Sequence, residues 1–126
     1  MTPAQHWRDR LRESLLSARK SRDATSVTAI RSALSAIDNA ETPHADQTDT
    51  RIGGPIAGAV SGVGSTEVAR RALSDAEIRG LIQTEVDERL TAADQYIANG
   101  HHERAADLQS EATVLAQMLS QTPEVV

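Results

Sequence analysis

Leu73-Ser-Asp-Ala-Glu77-Ile78-Arg-Gly-Leu81-Ile82-Gln-Thr-Glu85-Val86-Asp-Glu-Arg89-Leu90-Thr-Ala-Ala93-Asp-Gln-Tyr96-Ile97-Ala-Asn99-Gly100 is the stretch whose reading decides the fold. Ser74 and Glu77 stand at the spacing of a capping box, in which each side chain satisfies the other residue's backbone N–H at a helix start. Ile78, Leu81, Ile82, Val86, Leu90, Ala93 and Ile97 then recur at helical spacing over about 20 residues, with Glu85, Arg89 and Tyr96 on or beside the same stripe. Asn99-Gly100 is a stop signal, because glycine takes the left-handed conformation that closes a helix. A second helix follows at once, from about His102 to Gln121, with Ala105, Leu108, Ala112, Leu115 and Leu119 as its apolar stripe. A turn this short forces the two helices antiparallel.

The chain before this stretch repeats the arrangement. A helix is expected over Pro3–Arg22, with Thr2 as cap, Pro3 at the first helical position and Gln5 completing a Thr-x-x-Gln box. Its stripe is Trp7, Leu11, Leu15 and Ala18, widened by Leu16. Asp23 caps a second helix over Ala24–Glu41. That helix carries Val27, Ile30, Leu34 and Ile37 on one face and Thr28, Arg31, Ser35 and Asp38 on the other, with Pro43 as its terminator. Residues 42–66 hold no periodic pattern, and Gly53, Gly54, Gly58, Gly62 and Gly64 punctuate their second half. A flexible loop is the physical expectation there. The organisation is therefore helical hairpin 1 over 1–41, a flexible Gly-rich loop over 42–66, helical hairpin 2 over 67–122 and a tail over 123–126. The fold class is all-α, a four-helix, bundle-like domain. Trp7 and Tyr96 are the only aromatic residues, so Leu, Ile, Val and Ala must build the core, which favours close helix packing and modest stability.

Composition narrows the chemistry. The 126 residues include no cysteine, which removes disulfides, thiolate nucleophiles and thiolate metal sites together. The N-terminus carries Trp7, Arg8, Asp9 and Arg10 where a signal peptide needs an apolar run, and Ile52–Val63 is too short to span a bilayer. A cytoplasmic protein without a membrane partner is expected. The net charge of −5 is unevenly placed: residues 1–31 hold seven Arg/Lys against three acids, a net of +4, and the remainder holds six against fifteen, a net of −9. The basic excess reads either as a solvated face or as a phosphate-binding stripe. The candidate nucleic-acid-binding residues are Arg8, Arg12, Arg19, Lys20 and Arg22.

Glu85 and Arg89 form an i, i+4 pair on or beside the apolar stripe, and a partly buried charge needs a partner. Arg31, Glu85, Arg89 and Glu111 are expected to form an inter-helix polar network with a structural role. His101-His102-Glu103 is the one histidine cluster, but neighbours on a helix point about 100° apart and do not converge on a metal. Glycines 54, 58 and 62 read as linker, since Pro55 and the short length exclude a membrane helix and no Gly-Lys-Ser/Thr ending marks a phosphate loop. No Ser/His/Asp arrangement, ammonia site or ATP site follows from the spacing. No catalytic residues, no metal and no cofactor are expected.

Two segments taken together carry a family resemblance. One is Val27-Thr-Ala-Ile-Arg31-Ser-Ala-Leu-Ser-Ala-Ile37-Asp-Asn-Ala-Glu41. The other runs from Leu73-Ser-Asp-Ala-Glu77 through Ile82-Gln-Thr-Glu85-Val86-Asp-Glu88-Arg89 and Tyr96-Ile-Ala-Asn-Gly100 to Glu111-Ala-Thr-Val-Leu115. They resemble the GatB/YqeY family, which comprises YqeY-like proteins and the C-terminal region of the B subunit of tRNA-dependent amidotransferases. The match covers most of residues 5–120 apart from the Gly-rich insert, and lacks the small helical subdomain that follows the fourth helix in family members. The resemblance implies a helical protein, non-catalytic on its own, whose partner is tRNA or a translation-related protein. A helical protein–protein adaptor or self-associating scaffold, including a homo-oligomer, is the alternative. Carbon–nitrogen ligase activity with glutamine as amido donor is implied only by family analogy, and analogy of fold does not transfer catalysis.

Overall fold

The computed structural model describes residues 1–42 and 70–124. Among these lie four helices and no strand: α1 (Pro3–Lys20), α2 (Ala24–Glu41), α3 (Asp75–Ala98) and α4 (His102–Gln121). The expected loop over 42–66 falls outside the described residues except for Thr42, which caps the C-terminus of α2. Residues 67–69 of the second expected hairpin and 125–126 of the tail also lie outside them.

Three of the four helices start on a side-chain cap, as the sequence predicts. The Thr2 hydroxyl accepts from the Gln5 N–H at 3.1 Å while the Gln5 side chain accepts from the Thr2 N–H at 2.9 Å. Ser74 and Glu77 close the same box, both bonds at 3.0 Å. Asp23 accepts from the Ser26 N–H at 3.1 Å and from its hydroxyl at 2.7 Å. These bonds hold the Asp23 carboxyl below its ordinary range. The backbone N–H of Ser74 is the main cause of the same effect on Glu77. His101 begins α4 without a side-chain cap.

Both hairpin turns use one backbone device. Gly100 adopts φ 81°, the His101 N–H reaches back to the Tyr96 carbonyl at 2.8 Å, and the Gly100 N–H to that of Ile97 at 3.0 Å. This is the Schellman closure. At the first turn Arg22 takes the left-handed position, at φ 59°. The Asp23 N–H bonds to the Ala18 carbonyl at 2.9 Å and the Arg22 N–H to that of Arg19 at 3.1 Å. The helix predicted to reach Arg22 therefore ends at Lys20, because the reversal needs Ser21 and Arg22 outside it.

α1 packs on α2 and α3 on α4, and α2 also contacts α3 and α4. The antiparallel sense of each pair is visible in its polar contacts, Arg8 with Asp38 and Glu41 in one and Arg89 with Glu111 in the other. Trp7, Leu11, Ile30, Ile37, Ile78, Ile82 and Leu115 are the largest fully buried side chains. The stripes deviate from expectation most on α1, α2 and α3. Leu16 is exposed, so it does not widen the core face of α1. α2 is rotated to bury Ala29 and Ala33 completely, leaving Val27 and Leu34 half-buried. Small side chains let the helix axes approach more closely than Val and Leu would. On α3 the stripe stops short, and Leu90, Tyr96 and Ile97 are exposed.

The last deviation follows from length. α3 has 24 residues against 18 in α1 and α2, about 9 Å more helix at 1.5 Å per residue. Near its far end the buried side chains form a separate cluster of Ala93, Ala105 and Leu108, all from α3 and α4.

The opposite end is tied by polar groups around Trp7. Its Nε1–H donates to Asp75 Oδ1 at 2.8 Å, and Arg79 Nε donates to Asp75 Oδ2 at 2.7 Å. The Arg79 guanidinium lies 5.1 Å from the Trp7 ring centroid. Its remaining N–H groups donate to the carbonyls of Leu119 at 3.1 Å and Thr122 at 2.6 Å, while Arg10 donates to that of Gln121 at 3.1 Å. Cations at a helix C-terminus satisfy its orphan carbonyls and oppose its dipole.

Candidate functional site

The five basic residues singled out in the sequence separate into one that is committed and four that are open. Arg8 lies in the first half of α1, opposite the end of α2. Its guanidinium donates to Asp38 at 2.6 Å and to both carboxylate oxygens of Glu41, the longer contact at 3.3 Å. Arg70 adds a contact to Glu41 at 3.3 Å. The hydrogen bonds from Glu41 and then Asp38 raise the Arg8 pKa above its already high ordinary value. The side chain is only 16% exposed. Arg8 therefore leaves the candidate nucleic-acid-binding set, because its charge is already neutralised by two carboxylates and its donors are occupied.

Arg12, Arg19, Lys20 and Arg22 are exposed and make no ion pair with any described residue. Arg12 and Arg19 are seven residues apart, so they sit on one face of α1 about 10 Å apart along its axis. Lys20 and Arg22 continue the positive charge to the turn. Arg12 also borders an open polar cleft of about 570 Å³ beside Arg8, Asp38, Asn39 and Arg70.

The expected polar network forms around Arg89 with one member missing. Arg89 Nη1 donates to Glu85 Oε1 at 2.9 Å and to the Glu85 carbonyl at 3.1 Å, and Nε donates to Glu111 Oε1 at 3.0 Å. Burial would lower the Arg89 pKa, but the hydrogen bonds to Glu85 and Glu111 outweigh it and the net shift is upward. Arg31 does not join: it is exposed on α2 and pairs with none of these groups. It and Glu85 instead border a shallow groove between α2 and α3, along with Thr28, Ser32 and Ser35. The rotation of α2 that buries Ala29 and Ala33 carries Arg31 outward, so the network links α3 to α4 alone.

Two clusters escape the sequence reading. Trp7, Asp75 and Arg79 join α1 to α3 across a separation of 68 residues. Their one local signal is the i, i+4 spacing of Asp75 and Arg79. Arg8 and Glu41 are 33 residues apart and become neighbours only once the first hairpin closes.

The buried carboxylates of Glu41 and Glu111 each meet an arginine. No group of three metal-ligating side chains occurs among the described residues. Among the same residues no helix is long and apolar enough to cross a membrane. A scan of family models finds no match to the chain, and neither do searches of curated proteins and of solved structures.

Proposed function

We propose that the protein is a YqeY-like accessory factor of the tRNA or translation machinery, non-catalytic on its own, that holds RNA phosphates against α1. One observation carries this reading: Arg12, Arg19, Lys20 and Arg22 are exposed without carboxylate partners among the described residues, whereas Arg8, Arg71, Arg79 and Arg89 are all paired. Unpaired cations clustered on α1 and the turn that follows it are what a phosphate backbone needs for affinity, and positioning requires no catalytic group. The resemblance of residues 27–41 and 73–115 to the GatB/YqeY family supplies the direction toward tRNA. The overall charge of −5 restricts such binding to this face and makes it weak at physiological salt.

The test is fluorescence anisotropy of labelled tRNA titrated at several salt concentrations. Wild type is expected to bind saturably, with affinity falling steeply as salt rises. Reversal of Arg12, Arg19, Lys20 and Arg22 to Glu should abolish binding, because it removes the phosphate contacts and puts in their place carboxylates that repel the backbone. Binding that is absent at low salt, or unchanged in the reversed variant, overturns the proposal.

A further inference from the structure

Two exposed apolar spots lie on different helices, and their surroundings carry opposite charge. Leu16 on α1 is 54% exposed. The positions one turn away from it are Arg12, Glu13, Arg19 and Lys20, so three of its four helical neighbours are basic. On the far half of α3, Leu90 is 43% and Ile97 41% exposed. They are seven residues apart and share one face. Asp87 stands one turn before Leu90, and Asp94 stands one turn from both. Neither aspartate pairs with a basic residue among those described, and Asp87 accepts only from Gln83, at 2.9 Å.

We infer that the Leu16 face of α1 docks on the Leu90–Ile97 face of α3 in a second copy of this chain. The occupant is identified by charge complementarity: an apolar side chain ringed by Arg and Lys matches an apolar pair flanked by two unpaired carboxylates, and the chain carries both halves. A symmetric pairing of either face with itself would instead bring like charges together, which opposes association. The contact is heterologous, so each copy keeps one face open after the first docking event and the assembly grows, into a ring where the rotation closes and into an open filament where it does not. The patches are small, which makes the contact weak and transient. Its charged rim is exposed, which makes it sensitive to salt.

The experiment is sedimentation velocity over a wide range of protein concentration at low salt. Wild type is expected to gain mass with concentration and lose it on adding salt. Leu16→Ser and the double variant Leu90→Ser/Ile97→Ser should each remain a single chain. An equimolar mixture of these two variants retains one intact face of each kind, so it should form a particle of two chains and nothing larger. A wild type that stays a single chain throughout overturns the inference. So does a Leu16→Ser protein that associates like wild type, as pairing through α3 alone would produce, or a mixture that forms no pair. These side chains are exposed, and far-UV circular dichroism checks that the variants stay helical. The inference does not rest on the RNA reading. Leu16→Ser retains Arg12, Arg19 and Lys20, so its tRNA affinity measured at dilute protein should equal that of wild type whichever way the association experiment falls.

Discussion

The two ends of the bundle are held by different physics. At the end where α1 and α3 begin and α2 and α4 finish, side chains far apart in sequence bridge the helices. Trp7 is fully buried and donates to Asp75, Arg79 ties Asp75 to the end of α4, and Arg8 clamps Glu41 and Asp38 on α2. At the end with the two tight turns, closure is a backbone matter. Left-handed residues at Arg22 and Gly100 reverse the chain, and beneath the second turn only Ala93, Ala105 and Leu108 form a buried cluster. The contrast places the long-range polar side-chain contacts where helix termini meet without a short connection. The turn end can remain thin because covalent continuity already holds its helices adjacent. It is this thin end of α3 that leaves Leu90 and Ile97 exposed.

Substitutions should reveal the difference as an ordered series of urea-unfolding midpoints. The largest loss is expected for Trp7→Ala, about 3–5 kcal/mol for an aromatic removed from a close-packed core. Leu108→Ala in the turn-end cluster should cost about 2 kcal/mol, the low end of the range for such truncations. If the two losses are equal, the asymmetry between the ends is wrong. Glu41→Ala comes next to Leu108→Ala in size, at about 2 kcal/mol, because it removes charged hydrogen bonds from a guanidinium that keeps only Asp38. The turns themselves supply the smallest effects and an inversion of sign. Gly100→Ala should destabilise by about 1 kcal/mol, since a side chain at positive φ is strained even where space is open around it. Arg22→Gly should stabilise by under about 1 kcal/mol, because it relieves the same strain at the other turn. A destabilising Arg22→Gly would mean that the arginine side chain contributes more to this turn than its backbone strain costs.

Much of this architecture could be read along the chain because it is local. Capping boxes at Thr2–Gln5 and Ser74–Glu77, the cap at Asp23 and the stop at Gly100 depend on residues within a few positions of one another. The pairing of Arg89 with Glu85 is local for the same reason, one helical turn apart. The candidate site was legible only as a list of charges. Nothing in the spacing of Arg8 and Arg12 separates them, yet one is neutralised by α2 and the other faces solvent. Leu16, Leu90 and Ile97 likewise match the helical period as well as their buried neighbours do.

The four helices of the described residues, their boundaries to within a turn and the polarity of charge along the chain were thus determined by the sequence itself, since hydrogen bonding and side-chain periodicity within one helix need no partner. Which arginines are spent on carboxylates and which apolar residues stay outside the core was decided only by tertiary structure. Those outcomes depend on the rotation of α2 about its axis and on how far α3 extends past its neighbours, and both are properties of helices packed together.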